Sequence, residues 1–116
     1  MSESAFLQVQ TVGGRVVATV ACEKLGARES QVLETELRAL GPKSAWKMAV
    51  DLGAVTVMAS MGLGMLVSVH KACKENRGTL AVYGVRPEIL ELLKVTHLHR
   101  VLQIVDSAQA AQKIIQ

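Results

Sequence analysis

The 116-residue chain contains few aromatic residues, few cysteines and no long apolar run. Trp, Tyr and Phe occur once each, which argues against binding single-stranded nucleic acid by stacking bases on flat side chains. No stretch reaches the roughly 18 apolar residues of a membrane span, and Met1–Ser4 lacks the basic region of a secretory signal. These absences predict a cytoplasmic protein without membrane insertion. They also predict that Cys22 and Cys73 are reduced and buried.

The chain also has only a small excess of positive charge. Thirteen Lys and Arg residues against ten Asp and Glu residues give a net charge of +3, and the basic residues are scattered, so direct contact with nucleic acid is not expected. His97 and His99 have neither a neighbouring carboxylate nor a cysteine pair to complete a metal site. The glycine motifs that bind phosphate and a hydrolase triad are also missing. We therefore expect no metal, no cofactor and no enzymatic activity.

The sequence does contain the pattern of one α/β domain over residues 1–116. Half of its residues are apolar. Gly13-Gly14 separates two segments of strand character and predicts a hairpin. Further strands are predicted over 47–52, 79–83 and 102–105, and helices are predicted to begin at Ser30, Met61, Pro87 and after Ser107. The order ββαβαβαβα predicts a mixed, mostly parallel sheet of about five strands packed by about four helices. Residues 55–58 either extend the third strand or form a short segment of their own.

Three of the five methionines surround one serine before the second predicted helix. Ser60 suits the N-cap position, since its oxygen can accept an otherwise unpaired backbone N–H. The core stripe of this helix is predicted to comprise Leu63, Leu66, Val67, His70 and Cys73. Met61 and Met65 fall outside that stripe, so they are expected to be exposed and, with Met58, to form an adaptable contact surface. Ordinary core packing of the methionines is the alternative.

The stretch from Asp51 to Leu80 resembles the STAS domain, the family of bacterial anti-sigma factor antagonists. The central motif of that family, a serine, a variable residue and Gly-Leu-Gly, is present as Ser60, Met61 and residues 62–64. The likeness continues at Lys71, Gly78, Leu80 and residues 96–102, and the order of elements matches. The resemblance implies a single STAS domain over residues 1–116. Ala59 and Gly26 stand where the family carries acidic residues.

The resemblance also implies a function. Members of the family bind an anti-sigma factor that is a serine kinase, and so release a sigma factor by partner switching. The kinase phosphorylates the motif serine, here Ser60, and a serine phosphatase reverses the modification. The implied docking surface comprises Leu25, Gly26, Met58, Ala59, Ser60, Met61, Gly62 and Met65. Two other roles known for STAS domains stay open: an accessory subunit of a lipid-transporting ABC complex, and a module that senses a small ligand.

Overall fold

A computed structural model of the chain describes residues 5–116. The strands are β1 (Leu7–Val12), β2 (Arg15–Val20), β3 (Lys24–Leu25), β4 (Lys47–Asp51), β5 (Val57–Met58), β6 (Thr79–Tyr83) and β7 (Gln103–Ile104). The helices are α1 (Ala27–Leu40), α2 (Ser60–Glu75), α3 (Pro87–Val95) and α4 (Ala108–Ile115), with a single 3-10 turn at Leu98–Arg100. None of the helices within the described range has the length and apolar character that crossing a membrane requires.

The main sheet has five strands in the order β1-β2-β4-β6-β7. β1 pairs antiparallel with β2, and the other neighbours are parallel. Gly13 and Gly14 join β1 to β2 with φ values of +58° and +77°, as a tight hairpin turn requires, because residues with a Cβ rarely adopt them. The predicted hairpin and the mixed five-stranded sheet with four helices are therefore confirmed.

The two faces of the sheet bury different side chains, because successive strand residues point to opposite sides. On one face, α1, α2 and α3 cover the larger core, which includes Leu33, Leu37, Met48, Val50, Leu66, Leu80, Val82, Ile89 and Leu93. On the other face, α4 alone packs through Ala111 and Ile115 against Ala49 and Ala81. The large core therefore lies behind α2, the helix that carries the serine motif.

A second, smaller sheet determines where α2 begins. β3 pairs in parallel with β5, with Lys24 opposite Val57 and Leu25 opposite Met58. Residues 57–58 thus form a segment of their own rather than extending β4. β3 is not predicted from the sequence, because a two-residue strand is too short to show alternation.

The first helix starts three residues earlier than predicted. Gly26 is its N-cap, and the Gly26 N–H donates to Oε1 of Glu29 over 3.1 Å. Ser30, the predicted start, is buried and its hydroxyl donates to the Gly26 carbonyl oxygen over 2.6 Å. The prediction was wrong because Ser30 bonds back to the cap from within the first turn, as serines in helices often do.

The two cysteines are unpaired and differ in burial. Cys73 is buried in α2, as predicted, and its burial raises the thiol pKa to about 11. Cys22 follows β2 and is only half-buried, so its predicted full burial is wrong. Partial burial, together with the nearby Glu29 carboxylate, still raises the pKa of the Cys22 thiol. Neither cysteine therefore has the lowered pKa of a reactive thiolate.

Candidate functional site at the start of the second helix

Ser60 is the first residue of α2 and is exposed to solvent. The N-cap is Ala59, whose extended backbone (φ −83°, ψ 169°) continues the direction of β5. The prediction that Ser60 caps the helix is therefore wrong by one residue. Within residues 5–116 the Ser60 hydroxyl has no hydrogen-bond partner, so it is available to a molecule that approaches from solvent.

The position of Ser60 is set by contacts between α2 and the small sheet. The Ala59 N–H donates to the carbonyl oxygen of Leu25 over 3.0 Å. One turn into the helix, a Cβ on Gly62 would lie 3.1 Å from that same oxygen and 2.8 Å from Cγ of Met58. Glycine at position 62 therefore allows the first turn of α2 to lie directly on β3 and β5.

The residues predicted to form the docking surface divide into two layers. Ala59, Ser60 and Met61 are exposed, with Met61 at 46% of its full accessibility. The other predicted members are buried beneath them: Leu25, Gly26, Met58, Gly62 and Met65. The expectation that Met58 and Met65 are exposed is therefore wrong, and their side chains support the surface from below.

Two local causes explain these corrections. In β5 the side chains alternate, so Met58 points inward while Val57 points outward. In α2 the buried stripe is Gly62, Met65, Leu66, Val69, Ala72 and Cys73. Of the predicted stripe, Leu63, Val67 and His70 are only half-buried. The close contact at Gly62 turns Met65 toward the core.

Val57 is a surface residue of this site that was not predicted from the sequence. It is 53% exposed and lies opposite Lys24 in the small sheet. Strand alternation would place Val57 on the same side as Val55, which is buried, so that pattern does not predict its exposure. We call the exposed group Val57, Ala59, Ser60 and Met61 the Ser60 face.

The start of α2 is suited to a negative charge. The first hydrogen bond of the helix joins the Gly62 N–H to the Ala59 carbonyl, so the N–H groups of Ser60 and Met61 have no backbone acceptor within residues 5–116. The first turn contains no acidic residue. Unpaired N–H groups and the helix dipole stabilise an anion at this position. A phosphate on Ser60 is therefore compatible with the fold.

Polar contacts hold α2 against α1 behind the Ser60 face. The Ser68 hydroxyl donates to Oε2 of Glu34 over 2.7 Å, and Nη2 of Arg38 donates to the Ser68 oxygen over 2.7 Å. Arg38 and Glu34 also form an ion pair along α1 at 3.1 Å. This network, together with the apolar core, joins α2 to α1. In the same described range, no cluster of three potential metal ligands occurs.

Comparisons with known proteins agree with this geometry. A family model described as the STAS domain matches residues 7–111. BtrV of Bordetella bronchiseptica, assigned as an anti-sigma factor antagonist, is 25% identical over 105 residues, 90% of each chain. An anti-sigma factor antagonist (STAS) domain protein from Planctomyces limnophilus has a TM-score of 0.82 at 24% identity, covering 93% of this chain and 97% of that one. The phosphorylated form of the Bacillus cell fate determinant SpoIIAA has a TM-score of 0.71 at 12% identity, covering 93% and 98%.

The contact at Gly62 leads to a first prediction. Gly62→Val should lower the free energy of unfolding by about 2 kcal/mol more than Gly64→Val, because overpacking against backbone cannot relax fully. Gly64 is a matched control: it is exposed on the same helix, and a Cβ there meets nothing within 4 Å. Urea denaturation followed by circular dichroism measures both variants. Equal losses would show that α2 does not depend on close contact with β3.

The burial of Met65 leads to a second prediction. Met65→Lys should lower stability by more than about 3 kcal/mol, because it places an unpaired charge in the core. Met61→Lys, at a site 46% exposed, should change stability by no more than about 0.5 kcal/mol. Thermal unfolding of the two variants compares them directly. A Met65→Lys protein as stable as Met61→Lys would mean that Met65 lies on the surface.

Proposed function

Since the chain belongs to the STAS domain family, we propose that it is an anti-sigma factor antagonist. In this role it binds an anti-sigma factor that is also a serine kinase, and the bound sigma factor is released. The likeness to the curated antagonist over 90% of both chains supports the assignment. The observation that carries it is the exposed Ser60 hydroxyl at the start of α2, placed between exposed Val57 and Met61.

The anti-sigma factor docks on the Ser60 face. Val57 and Met61 are 53% and 46% exposed, so a partner that covers them gains roughly 25 cal/mol for each Å² of apolar surface removed from water. Met61 is flexible and can adapt its shape to the partner. Leu25, Met58 and Met65 act from below by keeping this surface in place. The proposed role requires neither a cofactor nor catalysis by this chain, and it places the protein in the cytoplasm.

Phosphorylation of Ser60 ends the complex. The partner kinase transfers the γ-phosphoryl group of ATP to the Ser60 oxygen, the hydroxyl proton is lost and ADP leaves. The phosphate adds a charge of about −1.5 to −2, which the free N–H groups of α2 stabilise within the isolated protein. Docking would strip water from this charge beside Val57 and Met61, and burying a charge without a partner is costly. A serine phosphatase restores binding by hydrolysing the ester.

Ser60→Glu tests the proposal. The variant should keep its fold, since a carboxylate is favourable at a helix start. It should bind the cognate anti-sigma factor at least about tenfold more weakly, or about 1.4 kcal/mol. Isothermal titration calorimetry measures the affinity, and Ser60→Ala should bind like the natural sequence.

Gln109→Glu is the matched charge control, because Gln109 is exposed on α4, on the other face of the main sheet. Its affinity should be unchanged. Equal affinities of Ser60→Glu and the natural sequence would place Ser60 outside the interface. A natural sequence that does not bind an anti-sigma factor at all would refute the proposed function itself.

A further inference from the structure

A cavity of about 640 Å³ opens at the carboxyl ends of β6 and β7. Gly84, which follows β6 with φ +69°, lies at one side of it, and Asp106, which follows β7, lies at the other. Its volume is within the range of small-molecule sites, roughly 300–1,000 Å³. In parallel α/β sheets, ligands bind at the carboxyl ends of the strands. None of the residues of the Ser60 face lines this cavity, so it is a separate feature.

Just over half of the cavity wall is apolar. The apolar part is formed by Val85, Leu90, Ile104, Val105 and Ala110. Val85 follows β6, Leu90 belongs to α3, Ile104 and Val105 belong to β7 and the loop after it, and Ala110 belongs to α4. Because these residues come from four parts of the chain, the shape of the wall depends on the packed fold. Such a wall suits an aromatic or aliphatic body.

The ionisable groups of the wall determine which charge a ligand can carry. Asp106 and His99 line the cavity, and no lysine or arginine does so within residues 5–116. The neighbouring Arg86 donates from Nε to the Gly53 carbonyl oxygen over 2.8 Å, and Arg100 is exposed outside the lining. An anionic ligand would therefore face a carboxylate without a cation to pair with, whereas an ammonium group could pair with Asp106.

His99 also lines the cavity. Its Nδ1 is buried and has no hydrogen-bond partner within the described chain. Because protein covers this nitrogen, a ligand would contact only the groups that the wall exposes. The wall thus combines an acceptor for a cation at Asp106 with an apolar body site.

We propose that this cavity binds a small amine with an aromatic or aliphatic body. The ammonium group pairs with the Asp106 carboxylate, and the body packs between Leu90, Ile104 and Ala110. The inference does not depend on the proposed anti-sigma function, because it uses none of the residues of the Ser60 face.

Two probes with the same aromatic body and opposite charges test the proposal: tryptamine and indole-3-acetate. Each is titrated into the full ¹⁵N-labelled chain and followed by NMR. Tryptamine should shift the amide signals of Gly84, Val105 and Ala110, with a Kd on the order of 1 mM for a ligand of this size. Indole-3-acetate should bind at least about fivefold more weakly, a difference of about 1 kcal/mol.

Three variants complete the test. Asp106→Asn should abolish the preference for tryptamine, and Glu91→Gln, at an exposed position on α3, should retain it. Ala110→Phe fills the cavity and should weaken tryptamine at least about tenfold; if that variant does not fold, Asp106→Asn decides alone. The proposal is overturned if indole-3-acetate binds as tightly as tryptamine, if Asp106→Asn keeps the preference, or if about 10 mM tryptamine leaves the three amide signals unmoved.

Discussion

The carbonyl oxygen of Leu25 is the contact on which the geometry of the candidate site depends. It accepts the Ala59 N–H over 3.0 Å and lies 3.1 Å from the place where a Cβ of residue 62 would be. The hydrogen bond determines where α2 begins, and the close approach determines how the helix is rotated. Together they place Ser60 outward in the first turn and Met65 inward. A side chain at position 62 would disturb the close approach of α2 to Leu25.

The sequence predicted the main sheet well, because its signals are strong and local. The hairpin follows from Gly13-Gly14, and the long strands and helices follow from apolar alternation and helical spacing. The small sheet was missed because each of its strands has two residues. The burial of Met65 was not predicted, because the spacing of apolar residues indicates a helix with an apolar side but does not determine which of two adjacent apolar stripes faces the core. The rotation of α2 depends on Gly62 meeting Leu25, residues 37 positions apart in the chain.

The two candidate surfaces meet through Asp51 at the end of β4. Its Oδ1 accepts the Gly53 N–H over 2.8 Å, in the loop that leads to β5 and Ser60. The same oxygen lies 2.4 Å from the place where a Cβ on Gly84 would be, next to the cavity beyond β6. The loop after β4 and the loop after β6 thus both pack on the Asp51 carboxylate. The first leads to the Ser60 face, and the second lines the cavity. The Ser60 face presents apolar side chains around a hydroxyl, whereas the cavity presents an apolar wall with a carboxylate and an imidazole.

Methyl NMR of the natural chain bound to its cognate anti-sigma factor tests the central claim most directly. If the Ser60 face is the docking surface, the methyl signals of Val57 and Met61 shift on binding. Val95 and Val101 are internal controls, because they are 67% and 44% exposed but lie at the last residue of α3 and in the segment between α3 and β7. Their methyl signals should stay unchanged. Shifts at Val95 and Val101 with none at Val57 and Met61 would contradict the account.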